Sequence, residues 1–238
     1  MLQRLFIFLL IFLILPDIYL YLRFIVHLTA KRWLRILYWL PAFLLSTGLL
    51  YLVYFSNNAF AERHTQAIGW FSIFFFLFTA PKLLLSLCTI IGVPFHKWLR
   101  WPRTPFICTG LTLAVISIVM IIYGSFIGRT QFDVKKVTYS SPKLPSAFDG
   151  YRIVQLSDIH IGSWQGNTSA IQKLVKLVNE QQADLIVFTG DLVNHRAVEL
   201  NDFQDILSGL KAKDGVYSIL GNHDYGPYFR WKSQQEQD

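Results

Sequence analysis

The 238-residue chain has two cysteines, Cys88 and Cys108, and both lie in or beside apolar runs. Residues 129–238 contain no thiol at all, which excludes a disulfide framework there and any metal site built on thiolate. Charge is also scarce: 16% of residues are charged and 53% are hydrophobic, too apolar for an ordinary soluble protein. Acid is nearly absent from the first half. Residues 1–128 hold ten Lys/Arg against two Asp/Glu, a balance of +8, whereas residues 129–238 hold twelve against thirteen, a balance of −1. The net charge of +7 therefore belongs to the first half, and no basic stripe with interleaved aromatics runs through the second. That pattern gives no nucleic-acid footprint.

What the first half has instead is length of apolar run. A bilayer core of ~30 Å takes about 20 apolar residues as a helix, and four stretches qualify, roughly 5–26, 34–55, 68–93 and 106–127. Arg32-Trp33 and Lys97-Trp98 flank them as interfacial anchors. A cleaved signal peptide is the competing reading of the first run, but three further runs follow and no small-residue cleavage site is convincing. Buried helices of a soluble protein are disfavoured by Phe71–Phe78, which has no polar face. Arg23, Lys31, Arg32, Arg35, Lys97, Arg100 and Arg103 fall on one side of four alternating spans. Arg4, Arg63, Arg129, Lys135 and Lys136 fall on the other. Seven against five puts the first set in the cytoplasm and residues 129–238 outside it. The expected location is thus the cell (inner) membrane, with the lipid bilayer as partner and the second half extracytoplasmic.

Two charges sit inside the spans. Asp17 follows Pro16 and Lys82 follows Pro81, each 12–13 residues into spans that run the same way. At ~1.5 Å per residue both lie about 18–20 Å deep. An ion pair between them would offset the cost of placing either in lipid; separate snorkelling or exposure to water is the alternative. A transport role would rest on these two residues alone.

From Gly128 the texture changes. Residues 132–139 read as a strand entering a second domain, and Ser141-Pro142 to Pro145 as a turn or linker. Arg152–Leu156 reads as a strand ending in Ser157-Asp158. Thr168–Gln181 has apolar residues at 171, 174, 175 and 178, the stripe of an amphipathic helix with Thr168 as N-cap. Leu185–Phe188 reads as a buried strand ending in Thr189-Gly190-Asp191, residues 199–211 as a second helix, and Val216–Leu220 as a third strand ending in Gly221-Asn222-His223-Asp224. The order β-α-β-α-β predicts a parallel sheet, and in open α/β sheets ligands bind beyond the carboxyl ends of the strands. Three polar clusters would therefore meet: Asp158 and His160, then Asp191, then Asn222 and His223. Singly, an Asp after a strand is usually a cap or turn residue. Together, carboxylate, imidazole and amide oxygen suit Mn, Fe, Zn or Ni-like divalent ions. One carboxylate can bridge two such ions ~3.5–4 Å apart, the geometry of in-line displacement at phosphorus. Gly190 and Gly221 precede the ligands, where a close approach would disfavour a Cβ.

Asp158-Ile159-His160, Gly190-Asp191-Leu192-Val193-Asn194 and Gly221-Asn222-His223-Asp224 resemble the D-x-H, G-D and G-N-H-[D/E] blocks of calcineurin-like metallophosphoesterases. The flanking residues look most like the membrane-associated bacterial branch. The resemblance spans about residues 145–230. It implies a four-layer α/β/β/α sandwich and two divalent metal ions. Asp158 and His160 would bind the first metal, Asp191 would bridge both, and Asn222 would bind the second through its carbonyl oxygen. His223 would stabilise the transition state or protonate the leaving group, with Asp224 orienting it. His195 is taken as a loop residue. The implied activity is hydrolysis of phosphodiester, pyrophosphate or phosphomonoester bonds by a metal-activated hydroxide, on a substrate that is lipid-linked in one version of the reading.

The family pattern continues with a further His and a G-H-x-H block, and residues 225–238 contain no His. The expected organisation is thus a four-helix transmembrane region over 1–128, an entering strand and linker over 129–149, and the first half of the phosphoesterase domain over 150–238. Such a chain is expected to bind the second metal weakly and to expose a sheet face or edge. The competing reading is a catalytically incomplete membrane protein whose half-domain binds a partner. Protein partners are not indicated.

Overall fold

The computed structural model describes residues 2–55, 64–229, 231, 233 and 235. Arg63 and the side chain of Arg4, both counted toward the orientation, lie outside the described residues. The chain divides into two compact units, Met1–Gln131 and Phe132–Asp238.

Among the described residues the first unit has four long helices. α1 (Leu2–Leu20) continues through a π-helical segment, Tyr21–Ile25, and a last turn, Val26–Leu28. Then come α2 (Arg32–Phe55), α3 (Thr65–Leu99) and α4 (Thr104–Phe126). Each contains a stretch long and apolar enough to cross a bilayer: Phe6–Leu28, Arg32–Tyr54, Gln66–Leu99 and Thr104–Thr130. The helices keep large apolar side chains on their outer surfaces, as lipid-facing helices do, while Leu13, Leu45, Leu49 and Phe75 pack inside. Gly92 and Gly110 let α3 and α4 approach closely. A Cβ at Gly92 would sit 2.7 Å from the Phe106 ring, and one at Gly110 2.9 Å from Leu85. Small residues at such crossings replace the hydrophobic drive that lipid cannot supply.

Asp17 is fully buried and its Oδ1 lies 2.6 Å from Lys82 Nζ, so the two intramembrane charges do pair. The Tyr38 hydroxyl of α2 lies within hydrogen-bond reach of the same oxygen (2.9 Å) and of the Asp17 carbonyl (3.0 Å). Three helices thus meet on one carboxylate, just before the π-helical segment. π-Segments mark local rearrangements of the helical ladder, and Pro16 has already removed one N–H from it.

In the second unit, β1 (Ile153–Leu156), β2 (Leu185–Phe188) and β3 (Val216–Ser218) form a parallel sheet in the order β1-β2-β3. Leu156 pairs with Phe188, and Phe188 with Ser218, so the strands end nearly level. α5 (Thr168–Asn179) covers one face: Val178, Ala183 and Ile186 are buried together, with Val154, Leu156 and Leu174 against them. A second cluster, Ile161, Ile171, Val175, Val193 and Phe203, fills the space beyond the strand ends. Tyr217, on the other face, is 62% exposed, so that face of the sheet is open.

Four expectations need correction. Residues 132–139 form no strand: they join no sheet among the described residues, and Val137 is 90% exposed. Apolar alternation gives a strand only where an edge is available to pair with. The helix expected over 199–211 is a 3₁₀ turn, Ala197–Leu200, followed by a short α6 (Gln204–Leu207). Its apolar residues still pack as the stripe predicts, but Gly209 disfavours extension and burial here needs only single turns. Thr168 is the first helical residue and Asn167 the cap position. β3 stops at Ser218, although Ile219 N still donates to Phe188 O (2.9 Å); the chain then converges on Gly190.

Candidate metal centre

Past the end of the regular ladder the first two strand ends stay bonded. Asp158 N donates to Gly190 O (3.1 Å), His160 N to Asp191 O (3.1 Å) and Ile161 N to Leu192 O (2.8 Å). These bonds set Asp158-Ile159-His160 alongside Gly190-Asp191-Leu192. The third strand end arrives at Gly221, whose Cα lies so near Gly190 that a Cβ on Gly190 would be 2.6 Å from it. A Cβ on Gly221 would likewise meet Asp191 N at 2.6 Å. Only glycine at both places allows this backbone crossing, and Gly190 also has φ 103°.

The backbone at the site is strained in a consistent way. Asp158 (φ 54°), His160 (φ 47°) and Asp191 (φ 56°) all occupy the left-handed region. Non-glycine residues there cost about 1–3 kcal/mol each and gather at functional sites.

Asp224 anchors the crossing. Its Oδ2 accepts from Asp191 N (2.6 Å) and Gly221 N (2.8 Å), and its Oδ1 from Leu192 N (2.9 Å) and Val193 N (3.1 Å). The expectation that Asp224 orients His223 therefore does not match its hydrogen bonds, which run to the backbone of the Asp191 loop. His223 is fixed otherwise. Its N–H donates to Asp191 Oδ1 (2.8 Å), and its ring Nδ1 lies 2.7 Å from the Asn194 carbonyl oxygen. A carbonyl only accepts, so Nδ1 carries the proton, and in the neutral ring Nε2 has the free lone pair. Asn194 is itself held: its side chain joins Ser163, and its backbone N–H donates to Glu199 (2.7 Å). Buried Glu199 also accepts from His195 N (2.9 Å) and Arg196 N (3.2 Å).

The outcome is that His160, Asp191 and His223 present ligand atoms within 4.8 Å of one another. Asp191 is only 9% exposed, and the His160 and His223 rings meet edge-on at 4.6 Å. Asp158 is outside this group: its exposed carboxylate accepts a hydrogen bond from Ser157. Asn222 is exposed, and its Nδ2 donates to the Tyr228 hydroxyl (3.1 Å). The His195 ring lies 6.4 Å from that of His223, tilted by 40°, and its buried Nδ1 has no hydrogen-bond partner among the described residues. Tyr228 and Glu199 escaped the sequence reading, which named Asn194 in a motif block but gave it no role; for Glu199 the signal was its place on the same loop, eight residues past Asp191. A carboxylate and two imidazoles with no thiolate suit a divalent ion of borderline hardness, and two of the three groups, His160 and Asp191, stand on left-handed backbone.

Two family models match. One, described as a probable calcineurin-like phosphoesterase transmembrane domain, covers residues 3–129. The other, calcineurin-like phosphoesterase, covers residues 151–238. Among curated relatives, a transmembrane protein with metallophosphoesterase domain from Danio rerio is 36% identical over 47% of this chain and 25% of its own length. The UDP-2,3-diacylglucosamine pyrophosphatase of Chlamydia muridarum is 32% identical over 52% of this chain and 39% of its own. An uncharacterized metallophosphoesterase of Campylobacter jejuni is 28% identical over 89% of this chain and 56% of its own. The chain thus spans a quarter to just over half of these relatives. No solved structure matches it. With a four-span membrane half and strand-end candidate ligands in the places the second family model covers, the chain belongs to the membrane-associated calcineurin-like phosphoesterases.

Proposed function

We propose that the protein containing this chain is a membrane-anchored, metal-dependent hydrolase of phosphate esters or pyrophosphates. The observation that carries the reading is the convergence of His160, Asp191 and His223 on one place beyond three parallel strands. In this reading Asp158, His160 and Asp191 would hold one divalent ion, and Asp191 and Asn222 would hold a second. Bound divalent ions supply a nucleophile at neutral pH and neutralise phosphate charge. The chain's own residues do the rest. The Asp224 carboxylate keeps the Asp191 backbone in place, and Asn194 keeps the proton of His223 on Nδ1. When Nε2 of His223 is protonated as well, it is the end that donates a hydrogen bond to the phosphoryl group or delivers a proton to the leaving oxygen.

A lipid-linked pyrophosphate is the favoured substrate class. It is supported by the four-span membrane half and by likeness to a relative named as a diacylglucosamine pyrophosphatase. The Lys/Arg bias supports a site outside the cytoplasm, which a reporter fused after residue 238 tests. Hydrolysis of a chromogenic phosphodiester and of a lipid-linked pyrophosphate, with and without Mn²⁺, tests the chemistry. Turnover should need the metal and vanish in Asp191→Asn. Metal-independent turnover, or turnover that survives Asp191→Asn, refutes the reading. Metal binding without turnover of either substrate would favour the non-catalytic, partner-binding alternative.

A further inference from the structure

Asn222 is the one candidate ligand whose two ends are chemical opposites. Its amide oxygen can bind a cation; its amide nitrogen cannot. On an exposed side chain free to rotate, the nitrogen would face the ion as readily as the oxygen. Here the nitrogen is committed, because Nδ2 donates to the Tyr228 hydroxyl at 3.1 Å. The same tyrosine ring lies against His223, 4.5 Å between centroids and tilted by 33°, and His223 in turn meets His160 edge-on. One side chain thus touches both of the last two site residues.

The local fold explains how Tyr228 gets there. Asp224 N bonds back to Gly221 O, Gly226 N to His223 O and Phe229 N to Gly226 O, so the chain after the third strand end reverses in consecutive turns. Gly226 has φ 66°, and the Trp231 indole N–H donates to its carbonyl (2.7 Å), closing the last turn.

We propose that Tyr228 is a positioning residue of the metal centre: its hydroxyl holds the Asn222 nitrogen away from the cation and so presents the oxygen, while its ring holds His223 against His160. This rests on the metal-binding reading above. Outer partners that orient a ligand typically change metal affinity 10–100-fold when removed.

The test is Co²⁺ binding to the full 238-residue chain in detergent, followed by visible absorption, on the step that Asn222→Ala abolishes. Tyr228→Phe keeps the ring and removes the hydroxyl. It should weaken that step about tenfold and alter the Co²⁺ spectrum. In an Asn222→Asp background both ends of the side chain are oxygen, so adding Tyr228→Phe should change affinity less than about twofold. Unchanged affinity and spectrum in Tyr228→Phe would overturn the proposal. So would an equal loss in both backgrounds, which marks a general effect on the loop, or tighter binding, which marks the opposite amide orientation. Co²⁺ binding that ignores Asp191→Asn would sink the metal reading itself and this inference with it. Binding that needs Asp191 but ignores Tyr228 would sink the inference alone.

Discussion

Replacing Asp17 with Asn leaves the shape of α1 nearly unchanged but removes the negative partner of Lys82. The pair is close (2.6 Å), Asp17 has no exposure and Lys82 retains 21%. Removing one member of a buried pair costs about 3–5 kcal/mol, because the other charge is stranded. The Lys82 amine also lies 5.4 Å from the Tyr38 ring centroid and 5.9 Å from that of Phe78, cation–π contacts that remain when Asp17 is neutral. The lower end, about 3 kcal/mol, is therefore expected for Asp17→Asn, and a similar loss for Lys82→Met, which strands the carboxylate. In the double variant neither charge remains. Its cost should fall to about 1 kcal/mol, the scale of one hydrogen bond to Tyr38 that the substituted amide only partly replaces. Reversible unfolding of all four proteins in mixed micelles gives the coupling energy directly, expected to be about 5 kcal/mol in favour of the pair. Additive losses, with the double variant near 6 kcal/mol, would show that the two charges are solvated separately and would refute the reasoning.

Other perturbations probe the strand-end crossing and the sheet edge. Gly221→Ala puts a methyl against Asp191 N and its carboxylate. It should destabilise the second unit by about 1–3 kcal/mol, seen as faster amide exchange at 188–194. Asp224→Asn replaces one of the two oxygens that together accept four backbone N–H groups. A loss of about 3 kcal/mol is expected, read as increased proteolysis of the Asp191 loop; wild-type resistance would contradict the anchoring role. The Tyr151 hydroxyl donates to Asp214 Oδ2 at 2.7 Å, and chiefly that bond, with lesser effects of burial and of the Asp214 charge, pushes its pKa up to about 12. Because the folded value is raised, the bond's contribution is complete below pH ~10 and is lost as pH rises through about 12. Phenolate absorbance should show a late-titrating component that Tyr151→Phe diminishes; an unchanged alkaline limb would refute the assignment.

Much of the fold was legible because it depends on local pattern. Apolar runs with no polar face gave the four spans, and β2 (Leu185–Phe188) was read to the residue because turn residues bound it on both sides. The Asp17–Lys82 pair was legible as a possibility, since equal depth in parallel spans invites pairing. Contact geometry was needed to choose it over separate solvation. The misreadings share a cause. Residues 132–139 alternate like a strand, and 199–211 carry a helical stripe, yet pairing partners and packing space decide what forms. At the site, the strand-end clusters pointed to His160, Asp191 and His223, whose ligand atoms the structure brings within 4.8 Å of one another. The supports were hidden: Asp224 works through backbone N–H groups of residues 191–193, about 30 positions away, and Tyr228 works through a turn that Gly226 permits. Bonds to backbone leave no periodicity in a sequence.

The central claim is that the three strand ends build one divalent-metal site. Equilibrium binding of Mn²⁺ to the detergent-solubilised chain, counted by the loss of free-ion paramagnetic signal, tests it most directly. Tight binding is predicted for the wild-type chain, with loss of at least about tenfold in affinity for Asp191→Asn and for His160→Ala. Equal Mn²⁺ binding by all three proteins would contradict the account.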